Sequence, residues 1–164
     1  MPTEVMHDYK VRMMDVEKRF PMPRTREQQT EVDRIKHSAL EKYLDAGHGS
    51  CILKEMRLRD VLVETLEHNE ELDYELIAHV IMHNHVHLLL ATIGDKPIQS
   101  IMNAIKRVSG HRICKLAKHR APLWQREYYD RLIRNAQHYD DVVTYIINNP
   151  KHCSPGTYTL YVRH

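Results

Sequence analysis

The chain has 164 residues, enough for one domain with a hydrophobic core that needs neither disulfides nor a metal to form. Its 24 Lys and Arg residues nearly balance its 22 Asp and Glu residues, so net charge by itself points to no class of partner. Three separated cysteines without a CxxC pair fit a reducing cytosol and offer no thiol-rich metal site, and the short apolar runs predict neither a signal peptide nor a membrane span.

The first part of the chain has the weakest pattern, and residues 1–23 are a poorly defined start. The segment Tyr9–Val16 is compatible with a strand, although charged residues interrupt it. From Thr25 apolar residues recur at a spacing near 3.6, which predicts an amphipathic helix that ends at Gly47. The segment Ser50–Leu53 is predicted to be a short extended piece.

The middle of the chain predicts a helix followed by a strand pair. An amphipathic helix is expected over about residues 55–69. The apolar, β-favouring segment Tyr74–Met82 predicts a strand. His83 and Asn84 then form a tight turn, after which His85–Thr92 returns as an antiparallel strand.

Two more helices and a short strand are predicted in the last part of the chain. A helix is expected from about Pro97 to His119, with Gly110 marking a kink or a break inside it. The last helix spans about Ala136–Asn148, with Asn135 as its N-cap. A short strand is expected at Tyr158–Val162.

Helices that alternate with hairpin-type strands indicate an α+β fold, in which an antiparallel sheet has helices packed on one face. We expect His85 and His87 on the other face of the sheet or in its central groove. The chain shows no internal repeat and no low-complexity linker. We therefore expect a single domain over residues 1–164, with residues 153–164 as a tail.

Positive charge is concentrated in one segment. Residues 96–126 include eight Lys or Arg residues and no Asp or Glu residue. Such a block is usually a solvated helix face. In a nearly neutral protein it is equally the electrostatic footprint of a polyanionic partner, and both interpretations remain open.

His85 and His87 are the first candidate site residues. Because they are two residues apart on a strand, their side chains project from the same face, whereas Val86 points to the opposite face. Neutral imidazole is the commonest metal ligand in proteins, so this pair can form half of a divalent-metal site. Histidine pairs on strands are also often structural, so the pair alone leaves both interpretations open.

The last predicted helix supplies two more candidates, Tyr145 and Asn149. Its apolar stripe consists of Val142, Val143, Ile146 and Ile147, which leaves Tyr145 to one side of the stripe. Asn149 follows four residues later at the same azimuth. Imidazole nitrogens with an amide oxygen suit Mg²⁺ or Mn²⁺, with Zn²⁺ not excluded. The structural alternatives are a packing tyrosine and a helix-ending asparagine.

Three motifs resemble one known family. The segment Met82–Leu89, MHNHVHLL, resembles the histidine–hydrophobic–histidine (HUH) motif of single-tyrosine transposases. Trp124–Arg134 followed by Tyr145–Pro150 is similar to the C-terminal signature of the REP-associated tyrosine transposase branch. The segment Asp45–Cys51 resembles a linker found in part of that branch. Together the motifs extend over roughly residues 43–152.

The resemblance implies a ferredoxin-like HUH fold and a role for each candidate residue. His85 and His87 correspond to the metal-binding histidines, and Tyr145 corresponds to the nucleophile. Asn149 would be the third metal ligand. Asn148 is the weaker candidate because it lies about 100° further round the helix.

The resemblance also implies an activity. It indicates a metal-dependent endonuclease and strand transferase that acts on single-stranded or hairpin DNA through a 5′-phosphotyrosine intermediate. It implies Mg²⁺ or Mn²⁺ as the cofactor, a monomer or homodimer without a membrane partner, and a location in the bacterial cytosol or nucleoid.

Basic and aromatic residues are the expected DNA contacts. Trp124, Tyr128 or Tyr129 can stack an unpaired base, although core packing is the favoured interpretation of Trp124. The residues expected to contact phosphates are Lys106, Arg107, Arg112, Lys115 and Arg126.

Two departures from the family pattern define the alternatives. The family usually has proline at the position of His83, and its apolar first strand is poorly matched by Tyr9–Val16. One alternative is therefore a catalytically inactive, domesticated protein that binds DNA hairpins. Another is a metal-dependent hydrolase without a covalent intermediate.

Overall fold

The structure, a computed structural model, describes residues 11, 13–45, 50–120, 122–126 and 128–163. The chain divides into two compact units, with the boundary between Gly49 and Ser50. The expectation of a single domain over the whole chain stays a prediction.

The first unit is helical through most of its described residues. Helix α1, Arg26–Asp45, begins with a reciprocal cap. The backbone N–H of Gln28 donates to Thr25 Oγ1 at 3.2 Å, and the backbone N–H of Thr25 donates to Gln28 Oε1 at 3.0 Å. The helix predicted from Thr25 is thereby confirmed, while its predicted end at Gly47 lies outside the described residues.

The strand considered for Tyr9–Val16 is wrong for residues 13–16, which are helical, as are residues 17–19. Tyr9, Lys10 and Arg12 lie outside the described residues. The segment 13–19 is rich in Met, Glu, Lys and Arg, which are good helix formers, and a helix allows its charged side chains to reach water on one side. The backbone N–H of Phe20 donates to Val16 O at 2.9 Å and closes the last turn.

The described residues of the second unit form three helices, three strands and two 3₁₀ turns. In chain order these elements are a 3₁₀ turn at Ile52–Lys54, α2 at Met56–Glu67, β1 at Tyr74–Ile81, β2 at Val86–Thr92, α3 at Ile98–Ala117, α4 at Ala136–Asn148, a 3₁₀ turn at Asn149–His152 and β3 at Thr159–Val162. The helices and strands predicted from residue 55 onward are all present, although β2 begins at Val86 and not at His85. Asn135 is confirmed as the N-cap of α4, because its Oδ1 accepts from the His138 N–H at 2.8 Å.

The extended piece predicted at Ser50–Leu53 is wrong at its end, where Ile52 and Leu53 belong to the 3₁₀ turn. A tertiary bond determines this conformation. The buried Leu53 donates its backbone N–H to His83 O at 3.1 Å, which ties the turn to the hairpin between the first two strands.

The three strands form one antiparallel sheet in the order β2-β1-β3. The register pairs Val80 with His87 and Ile81 with Val86. A bulge between Leu76 and Ala78 shifts the register further along β1. The antiparallel sheet with its helices confirms the α+β class.

Two apolar clusters cover the two faces of the sheet. On one face, α2 and α3 pack on β1 through residues such as Leu62, Ile105 and Leu76. On the other face, α4 packs through Ile146 on a cluster that includes Val80. The sheet therefore separates α2 and α3 from α4, so the expectation that helices pack on one face only is wrong: α4 buries Ile146 against the other face. Among the described helices, none has the length and apolar character needed to cross a membrane.

Gly110 does not break α3, which is continuous through it. A Cβ atom at Gly110 would lie 3.2 Å from Trp124 Cδ1, so the missing side chain makes room for the indole ring. Trp124 Nε1 donates to Ser109 Oγ at 3.0 Å, and Ser109 Oγ donates to Ile105 O at 2.6 Å. The interpretation of Trp124 as a packing residue is confirmed.

A buried arginine connects the start of α2 to the end of the chain. Arg59 is 1% exposed, and its guanidinium donates to Leu53 O and Lys54 O, both at 2.8 Å. It also donates to Gly156 O at 2.6 Å and to Thr159 Oγ1 at 3.0 Å. Burial lowers the pKa of Arg59 from its ordinary value. These bonds satisfy the buried cation and fasten β3 beside β1.

His79 on β1 is a titratable residue buried in the core, with 2% exposure. Its ring stacks on Tyr161 with the centroids 5.5 Å apart, and its Nδ1 has no hydrogen-bond partner among the described residues. Burial lowers the pKa of His79 to about 4. The ring is therefore neutral in the folded protein at neutral pH.

His79 makes the stability of the protein dependent on pH. Between its ordinary pKa of 6.5 and the folded value of about 4, the unfolded chain binds the proton more readily than the folded chain. The free energy of unfolding should therefore fall as the pH falls through this window, by about 3 kcal/mol in total at roughly 1.4 kcal/mol per pKa unit. Urea unfolding of the wild type and of His79→Gln at several pH values tests this. An equally steep fall in both proteins would contradict it.

The Trp124–Ser109 bond should contribute measurably to stability. Trp124→Phe keeps an aromatic ring but removes the indole donor, so we expect the free energy of unfolding to fall by about 1 kcal/mol. Leu132→Ala is the control, since Leu132 is 80% exposed and its truncation should change little. Chemical denaturation of the three proteins is the measurement. No difference between Trp124→Phe and the wild type would show that the indole bond is not structural.

Candidate functional site

The two site histidines follow the His83–Asn84 turn: His85 directly precedes β2, and His87 is the second residue of that strand. The backbone N–H of Met82 donates to His85 O at 2.9 Å and closes the hairpin. The rings of His85 and His87 meet edge to face with their centroids 5.0 Å apart. The structure thus brings both rings to one side of the strand, as the spacing predicts.

His85 has a second contact that the sequence pattern did not suggest. Its Nδ1 lies 2.8 Å from Oδ1 of Asn84, a residue that the sequence assigns only to the turn. His85 is 8% exposed, whereas His87 is half-buried. In the sequence, this contact is indicated by the position of Asn84, whose amide side chain directly precedes the candidate metal ligand His85.

Tyr145 of α4 reaches His87 across the sheet face. Its Oη lies 3.3 Å from His87 Nε2, and the two rings meet edge to face with centroids 5.0 Å apart. The neighbouring Ile146 is 1% exposed and anchors the helix, while the Tyr145 side chain is 38% exposed. The tyrosine therefore stands beside the buried stripe of α4, at a position that a substrate can reach.

The apolar stripe of α4 is narrower than predicted. Val142 and Val143 are half-buried and pack with Ile146 against the sheet. Ile147 was assigned to the same stripe, but it is 44% exposed. Because it follows Ile146 by about 100° of helical rotation, its side chain leaves the contact with the sheet.

Asn149 completes the cluster one helical turn after Tyr145. Its Nδ2 donates to Tyr145 Oη at 3.1 Å. Its Oδ1 is buried and has no hydrogen-bond partner among the described residues. An unsatisfied buried acceptor is costly in a protein, so this oxygen is placed to meet a donor or a cation.

The donor set fits a divalent cation. It comprises the imidazoles of His85 and His87 and the unsatisfied Oδ1 of Asn149, which lies next to the Tyr145–His87 contact. Within the described residues no group of three or more His, Cys, Asp or Glu is arranged to bind a metal. A metal centre here therefore has to be of the mixed histidine–amide kind, with remaining positions open to water or phosphate oxygens.

Two of the basic residues predicted to bind phosphates interact within the protein. Arg112 forms an ion pair with Glu64, which neutralises part of its charge. The Lys106 ammonium donates to Arg126 O at 2.9 Å and lies 5.5 Å from the centre of the Tyr128 ring. Lys106 thereby fastens the segment after α3 to that helix.

The other three, Arg107, Lys115 and Arg126, are exposed and form no ion pair within the described part of the chain. Arg107 and Lys115 belong to α3, which packs on the face of the sheet opposite to α4. A DNA chain that contacts both α3 and Tyr145 must therefore pass round an edge of the sheet.

Comparison with known proteins gives one family match. The family model described as "Transposase IS200 like" matches residues 52–149, which include the strand pair, both site histidines, Tyr145 and Asn149. Searches of curated proteins and of solved structures found no significant match to the chain. The matched segment is more than half of the 164 residues, so the chain belongs to the family of IS200-like transposases.

Proposed function

We propose that this transposase is a metal-dependent single-tyrosine enzyme of the REP-associated branch that nicks and joins single-stranded DNA at hairpins. The observation that supports the proposal most strongly is the 3.3 Å approach of Tyr145 Oη to His87 Nε2. A candidate nucleophile and a candidate metal ligand, 58 residues apart in sequence, meet within one chain. This is the arrangement that a phosphotyrosine mechanism needs.

The metal site would consist of His85, His87 and Asn149 Oδ1. When bound there, Mg²⁺ or Mn²⁺ polarises the scissile phosphate and neutralises charge that develops on its oxygens. Zn²⁺ is also compatible with these ligands. The protein contributes the spacing of the two imidazoles at the beginning of β2 and an amide oxygen that has no donor among the described residues.

Tyr145 would act as the nucleophile. Its Oη attacks the phosphorus atom, the bond from phosphorus to the 3′-oxygen breaks, and a 5′-phosphotyrosine and a free 3′-hydroxyl result. The Asn149 Nδ2–H that donates to Oη stabilises the negative charge on this oxygen as its proton leaves. Attack by a different 3′-hydroxyl on the phosphotyrosine reverses the step and joins strands without ATP.

The exposed cations Arg107, Lys115 and Arg126 would bind the sugar-phosphate backbone. The hairpin preference and the branch assignment are supported by the likeness of the 124–134 and 145–150 segments to the signature of that branch. The assembled cluster of Tyr145, His87 and Asn149 gives no reason to favour a catalytically inactive, domesticated protein.

Replacing the nucleophile should abolish the covalent step and spare binding. We expect Tyr145→Phe to form no adduct with a single-stranded hairpin oligonucleotide in Mn²⁺, as judged on a denaturing gel, while binding changes less than about threefold, or roughly 0.7 kcal/mol. Tyr139→Phe is the matched control, because Tyr139 lies on the same helix and is equally exposed at 38%. EDTA should remove the adduct from the wild type and from this control.

Each other outcome of that assay selects a different function. An undiminished adduct in Tyr145→Phe would remove Tyr145 from the mechanism. Metal-dependent cleavage without an adduct in the wild type would select the hydrolase. Hairpin binding by the wild type with no cleavage in any metal would select the inactive binding protein.

The phosphate contacts should appear in the salt dependence of binding. We expect Arg107→Ala and Lys115→Ala each to reduce the slope of log affinity against log salt by about 0.7, the value for one lost contact to single-stranded DNA. Arg112→Ala should reduce it less, because Glu64 already neutralises part of that charge. Arg57→Ala, outside the 96–126 segment, is the control. Equal slopes in all four variants would exclude α3 from the DNA interface.

A further inference from the structure

The contact between Asn84 and His85 favours one tautomer of the His85 ring. The Nδ1 of His85 and the Oδ1 of Asn84 are 2.8 Å apart. An amide oxygen only accepts hydrogen bonds, so the proton of the neutral ring has to be on Nδ1. The lone pair is then on Nε2.

We propose that Asn84 is a positioning residue that keeps the His85 imidazole in the Nδ1–H tautomer and thereby offers Nε2 as the metal-binding atom. Metal-binding histidines usually donate their other ring N–H to an oxygen, which fixes both the tautomer and the ring orientation. Asn84 Oδ1 provides this oxygen from the hairpin turn itself. The inference rests on the proposed metal-binding function of His85.

A left-handed backbone does not explain the asparagine at position 84. Asparagine is common in turns because it tolerates a left-handed backbone, but the non-glycine residues with positive φ among those described are Glu71 and Lys118. The hairpin is closed by backbone bonds from Met82 to His85 and from Leu53 to His83. Both bonds join backbone atoms.

Because His85 is buried, its hydrogen bond to Asn84 has little competition from water. With the ring 8% exposed, water has little access to Nδ1 and cannot easily replace Asn84 as the acceptor. Loss of Oδ1 would remove this preference for a proton on Nδ1, and a proton that moved to Nε2 would occupy the lone pair there. The hydrogen bond therefore selects the competent form of the ligand before any metal arrives.

Two variants separate this role from a structural one. Asn84→Ala removes the acceptor, and Asn84→Asp keeps an oxygen at the same distance along the side chain. We would measure the His85 tautomer in the metal-free protein by long-range ¹H–¹⁵N NMR at a pH where the ring is neutral. Mn²⁺ affinity would be measured by electron paramagnetic resonance of the free ion.

The expected result has two parts. His85 carries its proton on Nδ1 in the wild type and in Asn84→Asp, and a substantial fraction moves to Nε2 in Asn84→Ala. The Mn²⁺ dissociation constant rises about 10- to 100-fold in Asn84→Ala, the usual effect of losing such a partner, and Asn84→Asp restores the affinity.

The outcomes distinguish this inference from the proposed function. Failure of the wild type to bind Mn²⁺ would overturn both the metal site and the role of Asn84 in it. Mn²⁺ binding that His85→Ala abolishes but Asn84→Ala leaves unchanged would overturn the role of Asn84 alone. If Asn84→Ala does not fold, the wild-type spectrum still decides, because a proton on Nε2 of His85 would refute the inference.

Discussion

The packing of α4 on the sheet is the contact on which the candidate site depends. Ile146 is 1% exposed and lies among residues of β1 and β2, and its burial is worth about 1.5–3 kcal/mol. The hydrogen bond between Tyr145 and His87 is partly exposed and contributes about 1 kcal/mol at most. A helix of 13 residues is marginal without tertiary packing. The apolar contact therefore positions the tyrosine, and the polar contacts refine its orientation.

The two faces of the sheet differ in what they carry: one bears the larger apolar cluster and the other bears the candidate site. On one face α2 and α3 bury the larger apolar cluster, against which Trp124 packs with its indole N–H bonded to Ser109. On the other face α4 leaves room for two imidazoles, a phenol and an amide. Because the hairpin of β1 and β2 is fixed by the first cluster, the site histidines have a rigid base. The face that carries the candidate site can then be more exposed to solvent without loss of stability.

The spacing of apolar and polar residues along the sequence predicts most of the fold and identifies the residues of the candidate site. A spacing of two on a strand placed His85 and His87 together, and a spacing of four on a helix placed Asn149 beside Tyr145. What local pattern could not supply was the partner of a residue far away in sequence. The pairing of Arg112 with Glu64 and the 3₁₀ turn at Leu53 both depend on such contacts. The helix at residues 13–19 was missed because a short segment with few apolar residues has no clear period.

The central claim is that His85, His87 and Asn149 bind one divalent cation directly in front of Tyr145. Anomalous X-ray scattering at the manganese edge, from crystals of the protein grown with Mn²⁺, tests this without requiring DNA or turnover. We predict one strong anomalous peak within about 2.0–2.3 Å of a nitrogen of each histidine and of Asn149 Oδ1. A manganese peak elsewhere in the molecule, or one at the histidines with the Asn149 amide outside ligand distance, would contradict it.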